Sequence, residues 1–144
     1  MGAVIANAAE AHIQALRSFG SNLGMAFQVM DDILDLREGT QVLGKPAGND
    51  LRQGVITLPV MFYLNQTTAE NRAKLEAVVV GDELDDARID ALVEDIRISG
   101  VLALAEQEAN LYLDRAESAL DTLEDLETRE LLLDVMRSTV ERRS

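Results

Sequence analysis

The stretch FQVMDDILDL, residues 27–36, places three aspartates among apolar side chains. Asp31, Asp32 and Asp35 are interleaved with hydrophobic residues, and hydrophobic residues also recur at spacings of three, four and seven along the segment before them. This spacing is typical of an amphipathic helix. Burying an isolated charge on such a face is costly, so each carboxylate must be paired, bound to a metal or uncharged.

The rest of the chain also has helical periodicity. One helix is predicted from Gly2 to about Leu36, and residues 37–50, which hold three glycines and a proline, predict a loop. Further helices are predicted at about 57–64, 68–79, 82–100, 101–123 and 129–143. No period of two is sustained long enough for a sheet, so we expect an all-α fold in a single domain, residues 1–144.

Composition excludes several classes of function. The net charge of −13 argues against a nucleic-acid partner, because phosphate backbones are bound by lysine and arginine. The absence of cysteine excludes disulfides and thiolate metal sites. No apolar run reaches the roughly 20 residues of a transmembrane helix, and the N-terminus lacks the pattern of a signal peptide. We therefore expect a cytoplasmic protein without a transmembrane segment.

The spacing of the three aspartates suits a metal ion. On a helix, Gly24, Gln28, Asp31 and Asp35 form one track, with neighbouring Cβ atoms about 5–6 Å apart, and Asp32 lies to its side. Carboxylates beside an amide suit Mg²⁺, which takes one or two carboxylates and fills its shell with water and phosphate oxygens. The glycine leaves room for a ligand to approach.

The alternative is that the spacing arises by chance, since the chain has 13 aspartates. A second acidic cluster is richer still, and we interpret it as a solvated helix start favoured by the helix dipole; it comprises Asp82, Glu83, Asp85, Asp86 and Asp90. The loop GKPAGNDLRQG, residues 44–54, favours the metal. It brings Lys45, Arg52 and three glycines near the aspartates, and together these residues indicate a Mg²⁺–diphosphate site.

Two segments carry a resemblance to a known family. FGSNLGMAFQVMDDILDL, residues 19–36, followed by VLGKPAGNDLRQGVITLP, residues 42–59, resembles the second aspartate-rich region of trans-isoprenyl diphosphate synthases, the polyprenyl synthetases. The resemblance implies the C-terminal half of an isoprenoid-synthase-type helical bundle. Family members join isopentenyl diphosphate to an allylic diphosphate, which Mg²⁺ bridges to two facing aspartate-rich helices.

The resemblance also implies roles for individual residues. Asp31 is the expected principal Mg²⁺ ligand, and Asp32 and Asp35 complete the metal shell mainly through water. Lys45 is expected to contact the allylic diphosphate and to act with the aspartates in catalysis. The residues expected to bind substrate are Phe27, Gln28, Lys45 and Arg52, the first two on the isopentenyl side.

The sequence departs from the family pattern in two ways. Val55 stands where a basic residue is usual, and the first aspartate-rich motif is not found in these 144 residues. We therefore expect one subunit of a split prenyltransferase, whose partner carries the first motif and covers the apolar segment GAVIANAA, residues 2–9. The alternatives are a non-catalytic regulatory subunit or a fragment of a full-length synthase. The Gly-Lys-Pro-Ala-Gly-Asn-Asp-Leu-Arg loop favours chain elongation over terpene cyclisation.

Overall fold

A computed structural model describes residues 2–37, 47–81 and 85–141. All of the regular elements in these ranges are helices, which confirms the all-α class. The elements are α1 (Gly2–Ile5), α2 (Glu10–Arg37), α3 (Asn49–Arg52), α4 (Leu58–Gln66), α5 (Ala69–Val80), α6 (Asp86–Ile98), α7 (Val101–Ala119), a 3-10 turn (Leu120–Thr122) and α8 (Leu126–Glu141).

The first predicted helix is interrupted, so the prediction of one helix from Gly2 to about Leu36 was wrong at its start. Asn7 has a left-handed φ of 52°, its N–H donates to Val4 O at 3.1 Å, and the N–H of Ala8 donates to Ala3 O at 3.0 Å. These two bonds form a Schellman cap, which ends α1. Asparagine is one of the few residues other than glycine that tolerates this conformation.

A short helix, α3, begins within the last residues of the loop predicted at 37–50. Residues 38–46 lie outside the described ranges, but Gly48 has a φ of 69° and leads into α3 at Asn49. Leu51 is the residue of α3 that faces the core, with 1% of its surface exposed. Sequence periodicity misses a helix of four residues because it is barely one turn long.

The chain divides into two compact units. The central unit is Val29–Gln107, and the terminal unit combines Met1–Gln28 with Glu108–Ser144. The prediction of a single domain over residues 1–144 stays a prediction. Among the described residues, no helix is both long and apolar enough to cross a membrane.

Each unit has its own apolar core. The core of the central unit is formed by Leu36, Leu51, Val60, Tyr63, Leu75, Val78, Ile89, Leu92, Val93, Ile96, Val101 and Leu102. The core of the terminal unit is formed by Ala15, Phe19, Ala116, Leu120, Leu123, Leu133 and Met136. Complete burial of a leucine or isoleucine contributes about 1.5–3 kcal/mol, so the central core is sufficient to hold the end of α2 against α3 and α6.

Helix α8 in the terminal unit begins at an aspartate cap and supplies a first prediction. The Asp125 carboxylate accepts the Thr128 hydroxyl at 2.6 Å and the Glu127 N–H at 3.2 Å. The hydrogen bond from Thr128 is the main cause that lowers the pKa of Asp125 below its ordinary value of 3.8. The charged carboxylate therefore adds stability above pH 3.8, and that stability is lost as the pH falls through the lowered pKa.

We accordingly expect Asp125→Ala to lower the melting temperature at pH 7 and to have a smaller effect at pH 3. The measurement is thermal melting of wild type and variant at both pH values, followed by circular dichroism. Glu124→Ala, at the adjacent exposed position, is the control and should leave the melting temperature at pH 7 close to that of the wild type. If Asp125→Ala lowered the melting temperature equally at pH 7 and pH 3, the result would contradict a capping role for the charged carboxylate.

Candidate functional site

The C-terminal part of α2 carries the three predicted aspartates. Asp32 is buried, with 7% of its surface exposed, while Asp31 and Asp35 are half-buried. Their neighbours Ile33 and Leu36 are 3% and 2% exposed. The carboxylates thus lie at the edge of the core of the central unit, as their interleaving with apolar residues predicts.

Asp35 differs from the other two aspartates because its carboxylate holds α3. Its Oδ1 accepts the N–H of Asn49 and its Oδ2 accepts the N–H of Asp50, each at 3.1 Å. The backbone carbonyl of Asp35 also accepts the N–H of Gly48 at 2.8 Å. One residue therefore binds three successive amides at the start of α3, a role that the sequence did not indicate.

The surroundings of the Asp35 carboxyl shift its pKa in opposing directions. Burial raises the pKa of Asp35, and the nearby Asp50 carboxylate acts in the same direction. The N–H groups of Asp50 and Asn49 and the charge of Arg52 oppose the rise. These opposing causes are typical of a carboxylate that is taken partly out of water but given hydrogen-bond donors.

Arg52, a predicted substrate-binding residue, is held by two acids of α6. Its guanidinium forms ion pairs with Asp86 and Asp90, and only 13% of its side chain is exposed. The second acidic cluster is therefore more than a solvated helix start. The two aspartates remain 86% and 67% exposed, so solvent screens both pairs. Contact between Arg52 and a diphosphate stays a prediction.

The other predicted site residues are placed as follows. Lys45 lies outside the described residues. Phe27 and Gln28 are also on α2 but belong to the terminal unit, where the first is half-buried and the second is exposed. Their predicted role on the isopentenyl side stays a prediction. The central unit thus brings together the three aspartates, α3 and Arg52.

Two contacts that the sequence did not indicate support this arrangement. Arg97 on α6 donates from Nε to Leu36 O at 2.6 Å and from Nη2 to Arg37 O at 3.1 Å. Gly48 packs against Val93 of the same helix. Helix α6 therefore contacts both the last carbonyls of α2 and the residue that leads into α3.

The aspartates suit a divalent cation that is shared with other ligands. Among the described residues, no group of three or more acidic, histidine or cysteine side chains could hold a metal ion. Asp31 and Asp32 nevertheless offer hard carboxylate oxygens on one helix end. One or two such carboxylates, with water and phosphate oxygens, are the usual protein contribution to a Mg²⁺ site. The donor set thus fits a hard cation that bridges protein and phosphate.

The sequence matches a family model and several characterised relatives. The polyprenyl synthetase model matches residues 1–96. Heptaprenyl diphosphate synthase component 2 of Geobacillus stearothermophilus is 39% identical over 135 residues, which are 94% of this chain and 41% of that protein. Solanesyl diphosphate synthase 2, chloroplastic, of Arabidopsis thaliana is 37% identical over 123 residues, 85% of this chain and 28% of that protein.

Solved structures agree with the sequence comparison. Polyprenyl synthase from Caulobacter crescentus CB15, complexed with calcium and isoprenyl diphosphate, has a TM-score of 0.84 and 36% identity. The similarity covers 99% of this chain and 44% of that one. The chain spans about two fifths of the length of the Geobacillus relative. From the matched model and these relatives, the chain belongs to the polyprenyl synthetase family.

Proposed function

We propose that this chain is one subunit of a heteromeric trans-prenyltransferase that condenses isopentenyl diphosphate with an allylic diphosphate. Its part is the second aspartate-rich helix, and a partner subunit supplies the first. The observation that carries the proposal is the position of Asp31 and Asp32, at the edge of the core and one turn before the residue that holds α3. Carboxylates in that position supply the hard oxygen ligands that a Mg²⁺–diphosphate site takes from a protein.

In this proposal the aspartates of α2 have two different tasks. Asp31 would be the principal Mg²⁺ ligand, and Asp32 and Asp35 would complete the shell mainly through water. Asp35 also orients α3 through the amides of Asn49 and Asp50. Mg²⁺ held by these residues would supply positive charge that stabilises the leaving diphosphate. Lys45 contacts the same diphosphate, and Phe27 and Gln28 line the isopentenyl side.

Support for a second subunit comes from the names of relatives. The resemblance implies that the family holds its diphosphate between two aspartate-rich helices, of which residues 1–144 carry the second. In a fragment of a full-length synthase the first helix would instead belong to the same chain. Two relatives named heptaprenyl diphosphate synthase component 2 are 39% and 34% identical to this chain. The cytoplasmic location expected from the sequence stays a prediction.

A non-catalytic regulatory subunit is the second candidate. Val55 replaces the expected basic residue, and 47% of its surface is exposed rather than packed in the core. The position is thus open to a ligand but offers no charge. A chain that only binds and adjusts a complete synthase would tolerate this loss.

The proposal is tested by incorporation of labelled isopentenyl diphosphate into an allylic primer with Mg²⁺. The assay compares the pure chain with the complex that the chain forms in its native extract, each with and without EDTA. We expect elongation by the complex alone and its loss with EDTA. Elongation by the pure chain would contradict the need for a partner. A complex that never elongates would contradict the enzymatic role.

A further inference from the structure

The last carbonyls of α2 have a cationic partner on another helix. Arg97 of α6 donates from Nε to Leu36 O and from Nη2 to Arg37 O, at 2.6 and 3.1 Å. Its remaining terminal nitrogen donates to Glu94 Oε2 at 3.3 Å. The side chain is 29% exposed, so most of the guanidinium fork lies against the protein.

Arg97 contacts the C-terminal end of α2, where the backbone carbonyls lack hydrogen-bond donors within the helix. The last four carbonyls of a helix have no partner within the helix, and they carry the negative end of its dipole. A guanidinium there satisfies two carbonyls at once, and its planar fork fixes the direction of the helix end better than an ammonium does. Asp32 and Asp35 lie within about one turn of the two carbonyls that Arg97 holds.

A second connection ties the same region to α6. Asp35 binds the amides at the start of α3, and Arg52 at the end of α3 pairs with Asp86 and Asp90 of α6. Arg97 and Arg52 therefore attach α2 and α3 to one helix. The two aspartates that pair with Arg52 are largely exposed, so solvent screens these ion pairs, whereas Arg97 donates to backbone carbonyls.

We propose that Arg97 is a positioning residue, which fixes the aspartate-bearing end of α2 through the Leu36 and Arg37 carbonyls and so sets the affinity of the α2 carboxylates for the divalent cation. This inference rests on the proposed function. Arg97 contacts neither metal nor substrate and acts only through the helix end. Substituting a residue that orients metal ligands typically lowers metal affinity or activity by about 10- to 100-fold.

The test uses Arg97→Ala, Arg97→Lys and a matched control, Arg129→Ala. Arg129 on α8 is also 29% exposed and pairs with Asp121 in the terminal unit. In the complex we expect Arg97→Ala to raise the Mg²⁺ activation constant about tenfold, with the KM for isopentenyl diphosphate unchanged. Arg97→Lys should recover part of the affinity, because an ammonium can still reach one carbonyl. Arg129→Ala should match the wild type.

Two further readouts do not depend on activity. Free Mn²⁺ is measured by electron paramagnetic resonance while the protein is titrated in the presence of inorganic diphosphate, and Arg97→Ala should weaken binding about tenfold. Amide hydrogen exchange, on the pure chain and on the complex, should accelerate in the last turn of α2 and not across the core. A merely structural role would instead speed exchange throughout the central unit and would not shift metal affinity.

The inference fails if Arg97→Ala and Arg129→Ala give the same Mn²⁺ affinity. It also fails if Arg97→Lys binds Mn²⁺ no more tightly than Arg97→Ala does. These outcomes are separate from failure of the proposed function. If the wild-type complex does not elongate, the proposed function is wrong, and the Mn²⁺ and hydrogen-exchange results still decide whether Arg97 positions the end of α2.

Discussion

Asp31→Asn is expected to lower the kcat of the assembled enzyme about 10³-fold while leaving the fold and the complex intact. A metal ion that neutralises a leaving group contributes several kcal/mol to the transition state, and each 1.36 kcal/mol is a factor of about ten in rate. Asparagine keeps the size of the half-buried side chain but removes its charge. The loss should therefore appear in kcat and in Mg²⁺ dependence rather than in the melting temperature.

Asp134→Asn, the same substitution at an exposed position, is the control. Asp134 also lies on a helix and is 72% exposed, and its pairing with Arg137 at 3.4 Å is a weak surface interaction. Its kcat should stay within about twofold of wild type, since surface substitutions change free energies by about 0.5 kcal/mol or less. If Asp31→Asn elongates as well as this control, the aspartate is not catalytic and the regulatory alternative is favoured.

Asp35→Asn should behave differently from Asp31→Asn, because the Asp35 carboxylate binds two backbone amides. An asparagine has one acceptor oxygen, so one of the amides of Asn49 and Asp50 would lose its partner. Leaving such a donor unsatisfied in a partly buried place costs about 1–3 kcal/mol. The effect of Asp35→Asn should thus appear first in stability and only secondarily in metal dependence.

Most of the helices and the position of the aspartates could be predicted from local patterns. Apolar residues interleaved with Asp31 and Asp32 predict a helix with a polar edge, and the structure agrees, since Asp32 is buried and Asp31 is half-buried. The break at Asn7 and the turn at Asn49 could not be predicted with the same ease. Each depends on one residue in a left-handed conformation, Asn7 or Gly48, which periodicity does not register.

The partners of the two arginines could not be read from the sequence at all. Arg97 donates to carbonyls 60 and 61 residues away, and every residue carries a carbonyl, so no side-chain pattern marks the pair. Arg52 pairs with acids 34 and 38 residues away. From the sequence alone, the charge of Arg52 is as compatible with contact to a diphosphate as with these ion pairs. The structure shows the ion pairs of Arg52 with Asp86 and Asp90, and its contact with a diphosphate stays a prediction.

Gly48→Ala is expected to destabilise the protein by about 2–5 kcal/mol. At a φ of 69°, any side chain adds about 1–2 kcal/mol of strain. A Cβ there would also overlap the Cγ2 methyl of Val93. Val93 is 2% exposed and β-branched, so it cannot turn aside easily, and overpacking adds about 1–3 kcal/mol. Urea unfolding of wild type and variant measures the difference.

Gly100→Ala separates the two causes of this loss. Gly100 has a φ of 86°, and a Cβ built on it meets nothing within 4 Å, so its substitution should cost the strain alone, about 1–2 kcal/mol. Combining Gly48→Ala with Val93→Ala should restore about 1–3 kcal/mol relative to the sum of the single changes, because the overlapping methyl is gone. The double variant could instead lose as much unfolding free energy as the two single changes together, or Gly48→Ala and Gly100→Ala could lose equal amounts. Either result would mean that α3 shifts away from α6 and does not need close contact with Val93.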